Sequence, residues 1–124
     1  MSMSLKHYLG YGVTVPEEPA GFDDVYDFIE EHKEYSVYGF ENPKASEPGV
    51  RIITREYEDP YLMYVVVSRD QEEMWQSDAA TELPASTGLT DEIGRALATA
   101  YEEYTGKTLD LLGEVKLVSL FIAG

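Results

Sequence analysis

The segment FDDVYDFIEEHKE, Phe22 to Glu34, sets six carboxylates, Asp23, Asp24, Asp27, Glu30, Glu31 and Glu34, beside a single lysine. Carboxylates this close can do three kinds of work: pass protons, hold a hard divalent cation, or present a negative surface to a positive partner. Acid–base pairs arise by chance in a chain with 24 acidic residues, so pairing alone assigns no catalytic residue. No Asp-x-Asp-x-Asp-Gly calcium loop is present, although Asp27 with Glu30 or Glu31 offers a weak cation contact. His7 and His32 are the only histidines, and neither stands at metal-ligand spacing from the other or in a Glu-x-x-His pair. His32 reads as an ordinary helix-end residue. The expectation is therefore no catalytic site, no metal and no cofactor, which leaves the third kind of work.

Other chemistry-bearing stretches are weaker. Gly10-Tyr11-Gly12 lacks the third glycine, lysine and helix start of a phosphate loop, and no Gly-x-Ser-x-Gly nucleophile setting occurs. The absence of cysteine removes disulfides, thiol catalysis and thiolate metal sites. Arg51, Arg55 and Arg69 fall on one face of a hairpin, where they either pair with the acidic excess or form a small anion site. Met74-Trp75 lies in a long loop, and Trp75 is either a partner anchor or a cover for the core.

The elements that must position these residues are read from periodicity. Tyr8–Val15 alternates as a strand, PEEPAG breaks it, and the acidic segment comes next as a helix. Tyr35–Phe40 reads as a short strand and ENPKASEPG as a surface loop. VRIITREYEDPYLMYVVVSR reads as an antiparallel hairpin turning at Glu58-Asp59-Pro60, with Tyr57 opposite Tyr61. Arg51, Ile53, Arg55, Tyr57, Tyr61, Met63, Val65, Val67 and Arg69 then share one face, and Val50, Ile52, Thr54, Leu62, Tyr64 and Val66 the other. Asp70 to Leu89 holds no period and reads as loop or short irregular helix. Thr90 caps a second helix that stops at Gly106, with Ile93, Leu97, Tyr101 and Tyr104 facing inward, and EVKLVSLFIA closes the chain as a central strand. The order β-α-β-β-β-α-β predicts an α+β two-layer sandwich: a mainly antiparallel sheet of four to five strands with two helices on one face.

At 124 residues the chain fits one domain, residues 1–124. A formal charge of −15 opposes direct binding to nucleic acid or anionic lipid, and no run approaches the roughly 20 apolar residues of a membrane span. The N-terminal stretch has no apolar signal core, so a cytoplasmic protein is expected.

On an ideal helix Asp23, Asp27, Glu30 and Glu34 line one wall, flanked by Asp24 and Glu31, while Phe22, Val25, Tyr26 and Ile29 point the other way. Lys33 falls on the apolar side, so the helix is expected to end around Glu31 to Lys33, with Glu34 the least secure of the row. Like-charge neighbours three and four apart cost on the order of 1–3 kcal/mol before screening. The wall would span about 16 Å, one charge per roughly 3 Å, near the phosphate spacing of about 3.4 Å in a nucleic-acid strand. Acidic faces are commonly just solvated, and an acidic structural or assembly protein is the alternative. A small-ligand binder or enzyme without a linear motif is the second alternative. In physical type the chain resembles the small acidic proteins that phages and mobile elements use to occupy nucleic-acid-binding sites on host proteins. The leading expectation is accordingly a non-enzymatic nucleic-acid mimic that docks on a basic protein and blocks it.

Overall fold

The structure, a computed structural model, describes residues 3–73, 79–84, 89–111 and 113–123. Five strands, β1 (Met3–Thr14), β2 (Gly49–Arg55), β3 (Glu58–Glu73), β4 (Ala79–Pro84) and β5 (Lys116–Ala123), form one antiparallel sheet in the order β2-β3-β1-β5-β4. Helices α1 (Val25–Glu31) and α2 (Asp91–Thr105) contribute Val25, Phe28, Leu97, Ala100 and Tyr104 to the same core cluster as Ile52 and Leu62 of the sheet. The fold is the expected α+β sandwich, with both helices packed through that shared core.

The element order β-α-β-β-β-α-β also holds, but one of its strands is a different one. Tyr35–Phe40 is not a strand: a 3₁₀ turn covers Lys33–Tyr35, and polar side chains bend the backbone beyond it. Ser36 Oγ accepts the Tyr38 N–H, and Asn42 Nδ2 donates to the carbonyls of Glu34 and Ser36. Such local side-chain bonds offer the backbone an alternative to a ladder, and they override the β-propensity of Tyr, Val and Phe. The missing strand is made up within the expected loop from Asp70 to Leu89. There β3 runs on to Glu73 and AATELP forms β4, an edge strand whose proline is tolerated because an edge has donors to spare.

The hairpin turns at Glu56-Tyr57, ahead of the expected position, with Tyr57 in the left-handed region at φ 64°. Tyr61 therefore pairs with Ile53 and not with Tyr57. The slip is by an even number of residues, so side-chain faces survive it. Ile53, Tyr61, Met63 and Val65 share one cluster, and Val50, Ile52 and Leu62 belong to the other, with Tyr64 packed against it. The face assignment fails at Tyr57, which the turn takes out of the strand, and beyond Val65. A bulge steps the pairing from Gly10↔Val65 to Leu9↔Val67, leaving Val66 as the extra residue and putting Val67 and Arg69 opposite Leu9 and His7. Arg69 thus does not share a face with Arg51 and Arg55.

The second cluster, Tyr8, Ile53, Tyr61, Met63, Val65, Val118 and Leu120, lies on the face away from the helices. Tyr61 of β3 donates its hydroxyl to Glu82 of β4 at 3.0 Å, although β1 and β5 stand between those strands. On a flat sheet three strand spacings are about 14 Å. The bond between these two long side chains thus reaches across β1 and β5 on the face that carries this cluster.

α2 begins and ends as its sequence predicts. Thr90 Oγ1 accepts the Ile93 N–H, and Gly106 takes the left-handed conformation at φ 74°. Leu97 and Tyr104 are fully buried, whereas Ile93 and Tyr101 are half-buried and Gly94 and Ala100 complete the stripe. Among the described residues no helix is long and apolar enough to cross a membrane.

Candidate functional site

The acidic segment folds as a short helix because Asp24 caps it. Asp24 has an extended backbone, and its Oδ1 accepts the Asp27 N–H at 2.9 Å. Val25, Phe28, Ile29 and His32 then recur at helical spacing. Val25 and Phe28 are buried, and Ile29 is packed against their cluster. His32 ends the helix, its backbone N–H donating to the carbonyls of Phe28 and Ile29.

This stripe corrects the ideal wheel at three points. Phe28, not Tyr26, anchors the helix: Phe28 is fully buried and Tyr26 is 61% exposed. Seven residues make a helix of about 10 Å, so six charges do not line one continuous 16 Å rail and the phosphate-strand spacing is lost. Glu34 leaves the wall altogether, since it belongs to the 3₁₀ turn and its carboxylate faces His32. Asp23, Asp24, Asp27, Glu30 and Glu31 remain as an exposed group on and before α1. Among the described ion pairs none joins these five to a lysine or arginine. Trp75 lies outside the described residues.

The crowding acts most directly on Asp27. Its carboxyl is pushed above its ordinary value of 3.8, first by the neighbouring charge of Asp24, then by partial desolvation, then by Asp23 and Glu30. Like charges three and four residues apart oppose the charge that the first turn of a helix otherwise favours. A carboxyl that binds its proton more tightly folded than unfolded withdraws stability as pH rises through its titration. D27N is expected to raise the urea midpoint at neutral pH. The gain should disappear below the unfolded value of 3.8, and a D27N variant less stable than the parent at neutral pH would contradict the crowding.

Beside this acidic face the surface is aromatic. Tyr26, Tyr38 and Phe40 are 61%, 55% and 85% exposed, with Tyr38 and Phe40 stacked at 5.7 Å between centroids. Tyr26 and Tyr38 line a cavity of about 280 Å³ together with Asp27, Glu30 and Glu41. Aromatic faces and carboxylates around one hollow suit a cationic side chain, which gains from ring quadrupole and charge together. The sequence carries half of this signal in its carboxylates. The aromatic half is hidden there, because periodicity points Tyr26 into the core and β-propensity puts Tyr38 and Phe40 on a strand.

Three other groupings appear only in three dimensions. His7 and Ser119, on neighbouring strands β1 and β5, are joined by a 2.9 Å bond between Nε2 and Oγ, and Phe121 stacks on the imidazole at 4.3 Å. Burial and then Arg69 hold the His7 pKa below its ordinary value, and its buried Nδ1 has no hydrogen-bond partner among the described residues. Arg51 is buried and spends its guanidinium on backbone carbonyls, so it is neither an anion site nor a salt bridge. His32, Glu34 of the 3₁₀ turn and Glu103 of α2 converge, with His32 Nδ1 3.6 Å from Glu34 Oε1 and 3.5 Å from Glu103 Oε2. No spacing in the chain could announce this third grouping, because Glu103 arrives from the other helix.

No protein-family model, curated protein or solved structure matches the chain.

Proposed function

We propose that the acidic face of α1 docks on a basic protein surface of the kind that binds nucleic acid, and blocks it by competition. The observation that carries this reading is the cavity where Asp27, Glu30 and Glu41 meet the exposed rings of Tyr26 and Tyr38. Solubility alone accounts for carboxylates, but it gives no reason to leave three large aromatic side chains in water beside them. Aromatic residues within a charged rim are instead typical of recognition surfaces. Asp23, Asp24 and Glu31 extend the negative field around the cavity and would steer a lysine- or arginine-rich partner toward it.

The reading separates into two testable parts. Retention of a basic protein from a native lysate should fall at high salt, and the retained protein should lose a bound nucleic-acid probe when the acidic chain is added. The triple variant D23K/D27K/E30K should abolish both effects, while Y26A/Y38A should weaken binding by about 10–100-fold at every salt concentration, as expected of two aromatic contacts that together contribute about 1.4–2.8 kcal/mol. Undiminished displacement by the triple variant would sink the proposal.

A further inference from the structure

We propose that His32, Glu34 and Glu103 form a binding site for a divalent transition metal of the zinc type, which clips the end of α1 to α2. The site is independent of the docking face and uses none of its residues. Its three donor atoms, an imidazole nitrogen and two carboxylate oxygens, all lie within 4.8 Å of one another. Both distances from His32 Nδ1, 3.6 and 3.5 Å, exceed the roughly 3.2 Å limit of a good N–H···O bond. They match instead the edge of a coordination tetrahedron: with ligands about 2.1 Å from the ion, neighbouring ligand atoms stand about 3.4 Å apart. Glu34 and Glu103 are exposed enough to adjust their carboxylates toward that geometry.

The surroundings fit as well as the donors. Phe28 stacks on the His32 ring with centroids 4.4 Å apart, and Phe22 meets its edge at 6.3 Å, so the imidazole is oriented before any ion arrives. Tyr35, itself buried, donates its hydroxyl to Glu103 Oε2 at 2.9 Å. A hydrogen bond onto a ligating carboxylate is the usual outer support of a metal site. The donor set also selects the metal. An imidazole with two carboxylates suits zinc and its transition-metal neighbours, whereas calcium and magnesium prefer oxygen alone. Three protein ligands leave a fourth position for water. Because residues 32 and 103 lie far apart in sequence, the ion would tie two helices through a long loop and so favour the folded state.

Titration calorimetry of the full chain with zinc chloride near neutral pH, with magnesium in excess to saturate plain carboxylate sites, tests the proposal. One zinc per chain is expected. H32Q and E103Q should each weaken binding at least tenfold, and Y35F by about tenfold through the lost support. Histidine nitrogen spectra of the parent protein supply a readout that needs no variant: zinc should shift His32 and leave buried His7 in place. Equal affinity in a folded H32Q variant, or a His32 signal indifferent to zinc, overturns the proposal. In that case the three side chains meet without an ion between them.

Discussion

Alanine at Gly10 is expected to cost about 3 kcal/mol or more, a large share of the roughly 5–15 kcal/mol that holds an ordinary domain folded. A Cβ at this position would lie 1.9 Å from the carbonyl oxygen of Tyr64, 2.8 Å from its carbon and 3.0 Å from Val65 Cα. All three atoms are backbone, so no rotamer change relieves the clash. β3 is held on its other side by β2 and cannot retreat without straining that ladder. The closeness has a local cause. Gly10 pairs with Val65 at the bulge that leaves Val66 unpaired, where the β3 main chain leans toward β1. Gly39 is the control: nothing lies within 4 Å of its would-be Cβ, and G39A should stay within about 0.5 kcal/mol of the parent. Urea denaturation of both variants checks the contrast. A G10A midpoint equal to that of G39A would show that the sheet can open there freely.

That bulge also marks the boundary between what the sequence discloses about the sheet and what it does not. Alternation assigns the faces of β2 and β3 correctly up to Val65 even with the turn displaced, because pairing errors by an even number of residues leave inside and outside unchanged. One extra residue reverses the parity, and nothing in VVVSR distinguishes the valine that bulges from those that pair. β4 is illegible for a different reason. AATELP has weak β-propensity and forms a strand only because β5 offers it an edge, which is a property of the neighbour. α2 is legible throughout, since its cap, its stop and its buried stripe are all local. α1 is legible in charge but not in orientation: with only seven residues, small errors of phase move Tyr26 from water into the core and leave Phe28 unassigned.

The candidate surfaces divide in the same way. The acidic residues are visible in composition, but their partners in any function are supplied by tertiary structure. Tyr38 joins Tyr26 around one cavity because the chain bends at Ser36 instead of running on as a strand. Glu103 reaches His32 because α2 packs beside the 3₁₀ turn, where Tyr35 fixes it. The same bend thus builds one edge of the aromatic hollow and one edge of the histidine–carboxylate group. Whatever holds that bend in place supports both.

Arg51 holds it, and R51M is expected to lower stability by about 2–4 kcal/mol. The residue is only 6% exposed, and its guanidinium donates from Nη1 to the carbonyls of Glu34 and Val50 at 3.2 and 2.8 Å. Nη2 donates to the carbonyls of Lys44 and Glu47 at 2.6 and 3.1 Å. One planar fork thereby fastens the 3₁₀ turn and the loop before β2 to the strand itself. Hydrogen bonds from a charged donor contribute about 1.5–3 kcal/mol each when broken one at a time. Methionine, which keeps the apolar stem, also removes the cost of burying the charge, a cost visible as a guanidinium pKa held below its ordinary value mainly by burial and only partly restored by Glu47. The net loss is therefore well below the sum of four bonds. Lysine keeps the charge but concentrates its donors at one point and cannot reach two pairs of carbonyls, so R51K should recover at most about half of the loss. Hydrogen exchange gives the local readout: in R51M the amides of residues 42–48 should exchange faster while those of α2 keep their protection relative to global unfolding. An R51M variant as stable as the parent, with that loop equally protected, would mean that Ser36 and Asn42 hold the bend without the arginine.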